Sequence, residues 1–190
     1  MSHLRAFPVL VLVLLAGCRT TTTQTYGWPE DLKAQTSLGA GYRSVDHPVF
    51  EDHAYASVEL SGYRVGAPAG LELGASFATE DAELGGSDVD GRFSEGYLGL
   101  RKTFGSEGDA LRPFVSMGGQ YMRIVREPAA GGPSADEWSG GGYLRAGVYW
   151  SLGRLAIDGG TEFLIGFDVR AVASEDADFV QGGLFLGFGR

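Results

Sequence analysis

The sequence holds a single cysteine, Cys18, among its 190 residues. A fold built beyond it has no disulfide, and no Cys–Cys or Cys–His spacing with which to hold a metal. Histidine is almost as scarce, at His3, His47 and His53, too few for a histidine-based metal centre without carboxylates. Positive charge is short as well: 15 Lys and Arg stand against 24 Asp and Glu, a net charge of −9. Nucleic acid is thereby excluded as a partner, because its affinity rests on cations that neutralise phosphates. No apolar run approaches the roughly 20 residues of a membrane-spanning helix. The chain also lacks a Gly-x-Ser-x-Gly elbow, a phosphate loop and a His-Glu-x-x-His pair, so the reading is of a protein that is not an enzyme and needs no cofactor.

What is present begins with an export signal. Arg5 supplies a positive start, Val9 to Leu15 an apolar stretch, and small residues follow. Leu15-Ala16-Gly17-Cys18 resembles a bacterial lipobox. That resemblance implies acylation of the Cys18 sulfur, cleavage before it and acylation of the new amino group. Arg19 in place of Asp then implies sorting to the outer membrane, with membrane lipid as the partner of Cys18. Several acyl chains on one residue hold firmly, since each buried CH₂ contributes about 0.8 kcal/mol. Residues 1–17 are therefore expected to be a signal peptide and 18–33 a lipidated tether of low complexity, rich in threonine. Residues 34–190 are expected to form one domain, which suits a length of roughly 160.

Glycine is plentiful, at 31 residues, about twice the usual share of roughly 7%. It is threaded through segments that alternate apolar with small or polar residues, the period of a β-strand. In Trp138 to Leu152, Trp138, Leu144, Ala146, Val148, Trp150 and Leu152 form one row, and Tyr143, Arg145 and Tyr149 the other. The same division recurs around Ala54–Ser61, Leu71–Phe77, Ser94–Phe104, Leu155–Asp168 and Val180–Phe188. With Ala34–Arg43 and Pro113–Arg126 the number of strands is eight, an even count, and the expected fold is an all-β, antiparallel up-and-down barrel. Short connections are expected near Val65–Gly70, Gly105–Arg112 and Gly153–Arg154. Long acidic ones are expected near Ser44–Asp52, Thr79–Gly91, Glu127–Glu137 and Ala171–Asp178. An eight-stranded chain starts and finishes at the short-connection end, beside the tether.

Alternation fits two barrels with opposite insides. A soluble barrel turns its apolar row inward around an apolar ligand, and a membrane barrel turns it outward. Loop asymmetry and aromatic strand ends favour the second. An interior of eight strands is only wide enough for side chains, and the polar row supplies Glu59, Glu72, Glu95, Arg101, Arg145, Asp158 and Glu162 as a lumenal network of carboxylates and guanidinium groups.

With Leu38-Gly39-Ala40-Gly41-Tyr42 and Leu184-Phe185-Leu186-Gly187-Phe188, residues 34–190 resemble the small outer-membrane barrels of the OmpA-barrel and OmpX type. The resemblance is one of pattern and implies a barrel in the bacterial outer membrane with a structural or surface-interaction role. Barrels that modify lipid A use a His with Ser and an acid near the outer rim, and His53, Ser57 and Glu59 share one strand face here. Four residues of strand separate His53 from Ser57 by about 13 Å, far beyond hydrogen-bond reach, so any partner of His53 must come from a neighbouring strand.

Overall fold

The computed structural model describes residues 31–47, 51–84, 87–105, 109–128, 132–154 and 161–189. The signal, Cys18 and nearly all of the tether lie outside these residues, as do Asp158 and the expected start of the seventh strand. Eight strands follow in order: β1 Leu32–Asp46, β2 His53–Arg64, β3 Gly70–Leu84, β4 Ser87–Thr103, β5 Leu111–Pro128, β6 Ala135–Arg154, β7 Glu162–Ser174 and β8 Asp178–Gly189. Each pairs antiparallel with its neighbours in sequence, and β1 pairs with β8, from Gln35 opposite Gly189 to Asp46 opposite Asp178. The sheet is a closed up-and-down barrel. Closure gives every strand a partner on both sides, which removes the exposed edge that an open sheet must protect.

Period-two alternation sets the two faces. On β5, Phe114, Ser116, Gln120, Met122 and Ile124 are buried, while Val115, Met117 and Tyr121 are exposed. On β4, Phe93, Glu95, Tyr97 and Arg101 are buried, with Leu98 and Leu100 exposed. The apolar row is therefore the outer wall and the polar row lines the lumen. A glycine decides the local fit where Gly74 on β3 faces Tyr97 on β4. A Cβ at Gly74 would lie 2.2 Å from the Tyr97 ring carbon Cζ, so the ring lies over the bare backbone, as aromatic side chains do beside strand glycines.

The connections differ from the sequence reading. Thr79–Gly91 is not a long loop: Thr79 pairs with Arg92 and the ladder continues to Leu84 opposite Ser87. The segments read as loops at Glu127–Glu137 and Ala171–Asp178 also shrink, because β5 reaches Pro128, β6 starts at Ala135 and β7 runs to Ser174. Backbone pairing is indifferent to side-chain charge, so acidic residues past the apolar wall still extend a hairpin. The connections at this end (47–52, 85–86, 129–134, 175–177) are thus no longer than those at the other (65–69, 104–110, 155–161). The asymmetry resides in the strands instead: β4, β5 and β6 have 17, 18 and 20 residues, against 12, 13 and 12 for β2, β7 and β8. Gly153–Arg154 is likewise not a turn. It belongs to β6, which passes it through a register shift between Ser151 and Gly153, with Gly153 at a φ of 144° that suits a glycine-bearing bulge.

Candidate functional site: a charged lumen inside an apolar wall

Four carboxylates, Glu59, Glu72, Glu95 and Asp168, and four guanidinium groups, Arg43, Arg101, Arg145 and Arg170, are buried in the lumen. Among the described residues these numbers balance, which is the condition for burying charge in a confined space. They divide into two groups. Toward the 47–52 end, Glu95 on β4 accepts hydrogen bonds from Arg43 at 2.8 Å, Arg170 at 2.6 Å and Ser76 at 2.6 Å. Gln181 on β8 accepts from the same two arginines at 2.8 and 3.2 Å. The second group joins Glu59 to Arg101 at 2.6 Å and to Arg145. Arg145 also donates to Asp168 at 2.8 Å. Glu72 accepts from Ser116 and Tyr143, each at 2.7 Å, and Tyr97 donates to Glu59 at 3.1 Å.

Rings complete the filling. The Arg43 guanidinium lies 4.1 Å from the Phe179 ring centre, that of Arg170 4.2 Å from Tyr97, and that of Arg101 3.7 Å from Phe114. Such placements let a guanidinium bury against an apolar surface without losing its attraction to π electrons. An apolar cluster that includes Phe93, Met122, Ile124, Val172 and Phe179 caps one end, and Phe114, Tyr149, Leu164 and Phe185 floor the other. Among the described residues the eight-stranded interior is filled by charged and aromatic side chains, as its width allows.

The residues singled out in the sequence fall as follows. Glu59, Glu72, Glu95, Arg101 and Arg145 meet in the lumen. Glu162 sits apart at the 155–161 end, 3.0 Å from Arg112, rather than within either charged group. Asp158 and Cys18 lie outside the described residues. Asp168 and Gln181, which stand on the polar rows of their segments, join the lumenal residues, and so do Arg43 and Arg170, which the parity of their strands carries inward. His53, buried at the opposite end, has Glu80 on β3 as its partner: His53 Nδ1 lies 3.2 Å from Glu80 Oε2 and 3.1 Å from the Glu51 carbonyl oxygen. Its ring stacks on Phe93 at 4.4 Å, and its Nε2 has no hydrogen-bond partner among the described residues. A His–carboxylate pair is thus present, and among the described residues no hydroxyl is hydrogen-bonded to His53. No group of metal-ligating side chains gathers among the described residues.

The outer wall is the reverse of the lumen. Leu184, Leu144, Leu71 and Leu98 are 67%, 63%, 61% and 58% exposed, which buries no apolar surface in water. Aromatic pairs bound this band: Tyr121 stacks on Trp138 at 5.2 Å, while Trp150–Phe167 and Phe163–Phe188 pair at 6.2 and 5.5 Å near the other end. Charge resumes just past it. Arg123, over the Trp138 ring, donates to Asp136 at 2.6 Å, and Arg64 meets Asp31 at 2.7 Å. Ten strand steps from Leu111 to Tyr121, at about 3.3 Å each and tilted by roughly 40°, give a band about 25 Å tall.

A closed eight-stranded barrel with a filled, charge-balanced lumen and an apolar wall is the architecture of small bacterial outer-membrane barrels. Comparison with solved structures gives the same class. Ail, the attachment invasion locus protein of Yersinia pestis, matches with a TM-score of 0.59 at 12% identity, over 84% of this chain and 99% of its own. Neisserial surface protein A matches with 0.56 at 11%, over 84% and 96%. The outer membrane protein OprG of Pseudomonas aeruginosa matches with 0.50 at 13%, over 83% and 93%. At such identities the likeness is one of fold. No protein-family model matches the chain, and no curated protein is similar to it.

Proposed function

We propose that this chain is a bacterial outer-membrane lipoprotein that spans the membrane as a filled barrel, acylated at Cys18, with a structural or surface-interaction role and no catalytic one. The observation that carries the reading is the exposed leucine wall. Some two dozen large apolar side chains facing water would be a heavy liability for a soluble protein, whereas a band about 25 Å tall between aromatic girdles matches the hydrocarbon layer of an outer membrane. The lipid at Cys18 and the 155–161 end then lie on the periplasmic side, and the tall β3–β6 hairpins stand outside. Asp81, Glu83, Asp88 and Asp90 fall within residues 81–90, an acidic stretch of sequence that suits cationic partners or bridging cations. Among the described residues no hydroxyl is hydrogen-bonded to His53 of the His53–Glu80 pair, and the lumen is occupied by buried charged and aromatic side chains, so the competing readings have less to rest on.

The test is electrophoretic mobility of unheated and boiled membrane fractions, because a folded transmembrane barrel resists SDS until heated. The expected result is a heat-dependent shift that persists when Cys18 is replaced by serine, together with loss of labelled palmitate from the Cys18→Ser protein. A chain that leaves the membrane entirely when Cys18 is replaced would overturn the spanning reading and leave a tethered soluble barrel.

A further inference from the structure

We draw no further inference here: the strongest candidate, the outer edge of β6 over residues 135–139, which among the described strands pairs with β5 alone because the β7 ladder starts only at Gly141, carries nothing, since nothing in the structure shows what covers it.

Discussion

Arg170 and Glu95 meet at 2.6 Å although β7 and β4 are not neighbours around the barrel, so this ion pair reaches across the lumen. Both residues are essentially inaccessible to solvent, at 1% and 0% of the side chain, and Glu95 also holds Arg43. Replacing Glu95 by alanine leaves two buried guanidinium groups with only neutral acceptors, Gln181 for both and Ser76 for Arg43 at 2.7 Å. The expected cost is about 3–5 kcal/mol, read from the urea midpoint of the heat-dependent gel shift. Adding Arg170→Met to Glu95→Ala should recover part of that loss, since the surplus charge goes with it.

The wall gives a sharper test of the environment. Leu144 faces outward at mid-height and is 63% exposed. In water, arginine there would change stability by less than about 0.5 kcal/mol. Facing hydrocarbon, it should cost about 2–4 kcal/mol. Unfolding of Leu144→Arg in lipid vesicles separates the two cases, and a neutral result would argue for a soluble barrel.

Gly74 and Tyr97 make a pair whose disruption should be local. A methyl group at Gly74 cannot coexist with the Tyr97 ring at 2.2 Å, so Gly74→Ala must push the ring from its place and strain its hydrogen bond to Glu59. A cost of about 1–3 kcal/mol is expected. Combined with Tyr97→Phe, the loss should be less than additive, because both changes release the same bond.

The filled lumen predicts poor conduction. Two groups of ion pairs between an apolar cap and an aromatic floor leave no wide aqueous path, so planar-bilayer recordings should show no large, stable channels. Frequent conductance steps of porin size would contradict the side-chain packing described above.

A pH effect is expected at the outer rim. His47 follows β1, with Glu137 of β6 at 4.0 Å. Burial depresses its pKa, the Arg126 guanidinium of β5 lowers it further, and Asp176 between β7 and β8 opposes them. A histidine depressed in the folded state is neutral there, so its contribution is fully present above the unfolded value of about 6.5 and is lost as pH falls through the lower folded value. Protection of the amides at the ends of β1 and β5, expressed relative to their intrinsic exchange rates at each pH, should therefore fall as pH drops from about 6.5 toward the lower folded value, and His47→Gln should abolish the dependence.

Some of this was legible in the chain. Period-two alternation marks eight strands and both faces of six of them, because successive side chains of a strand point opposite ways whatever they pack against. The ends of strands were less legible. Glu80 to Asp90 reads as a loop by composition, yet the ladder runs through it. The signal that marks a hairpin there is the two-residue Gly85-Gly86 between Leu84 and Ser87. Arg43 and Arg170 were passed over because each stands beside a segment read as a loop. Carrying the parity of Gly39 and Gly41, or of Glu162 and Asp168, two more steps brings them inward.

The sequence by itself determined that six segments carry one apolar and one polar row, that eight strands exist, and that Leu15-Ala16-Gly17-Cys18 precedes them. Those are local properties, set by alternation and short motifs. The tertiary structure alone decided which carboxylate meets which guanidinium and that Glu162 stands at the rim with Arg112. Each of these depends on the register with which β1 closes against β8 and on the stagger of strands around the barrel. No single strand carries that information.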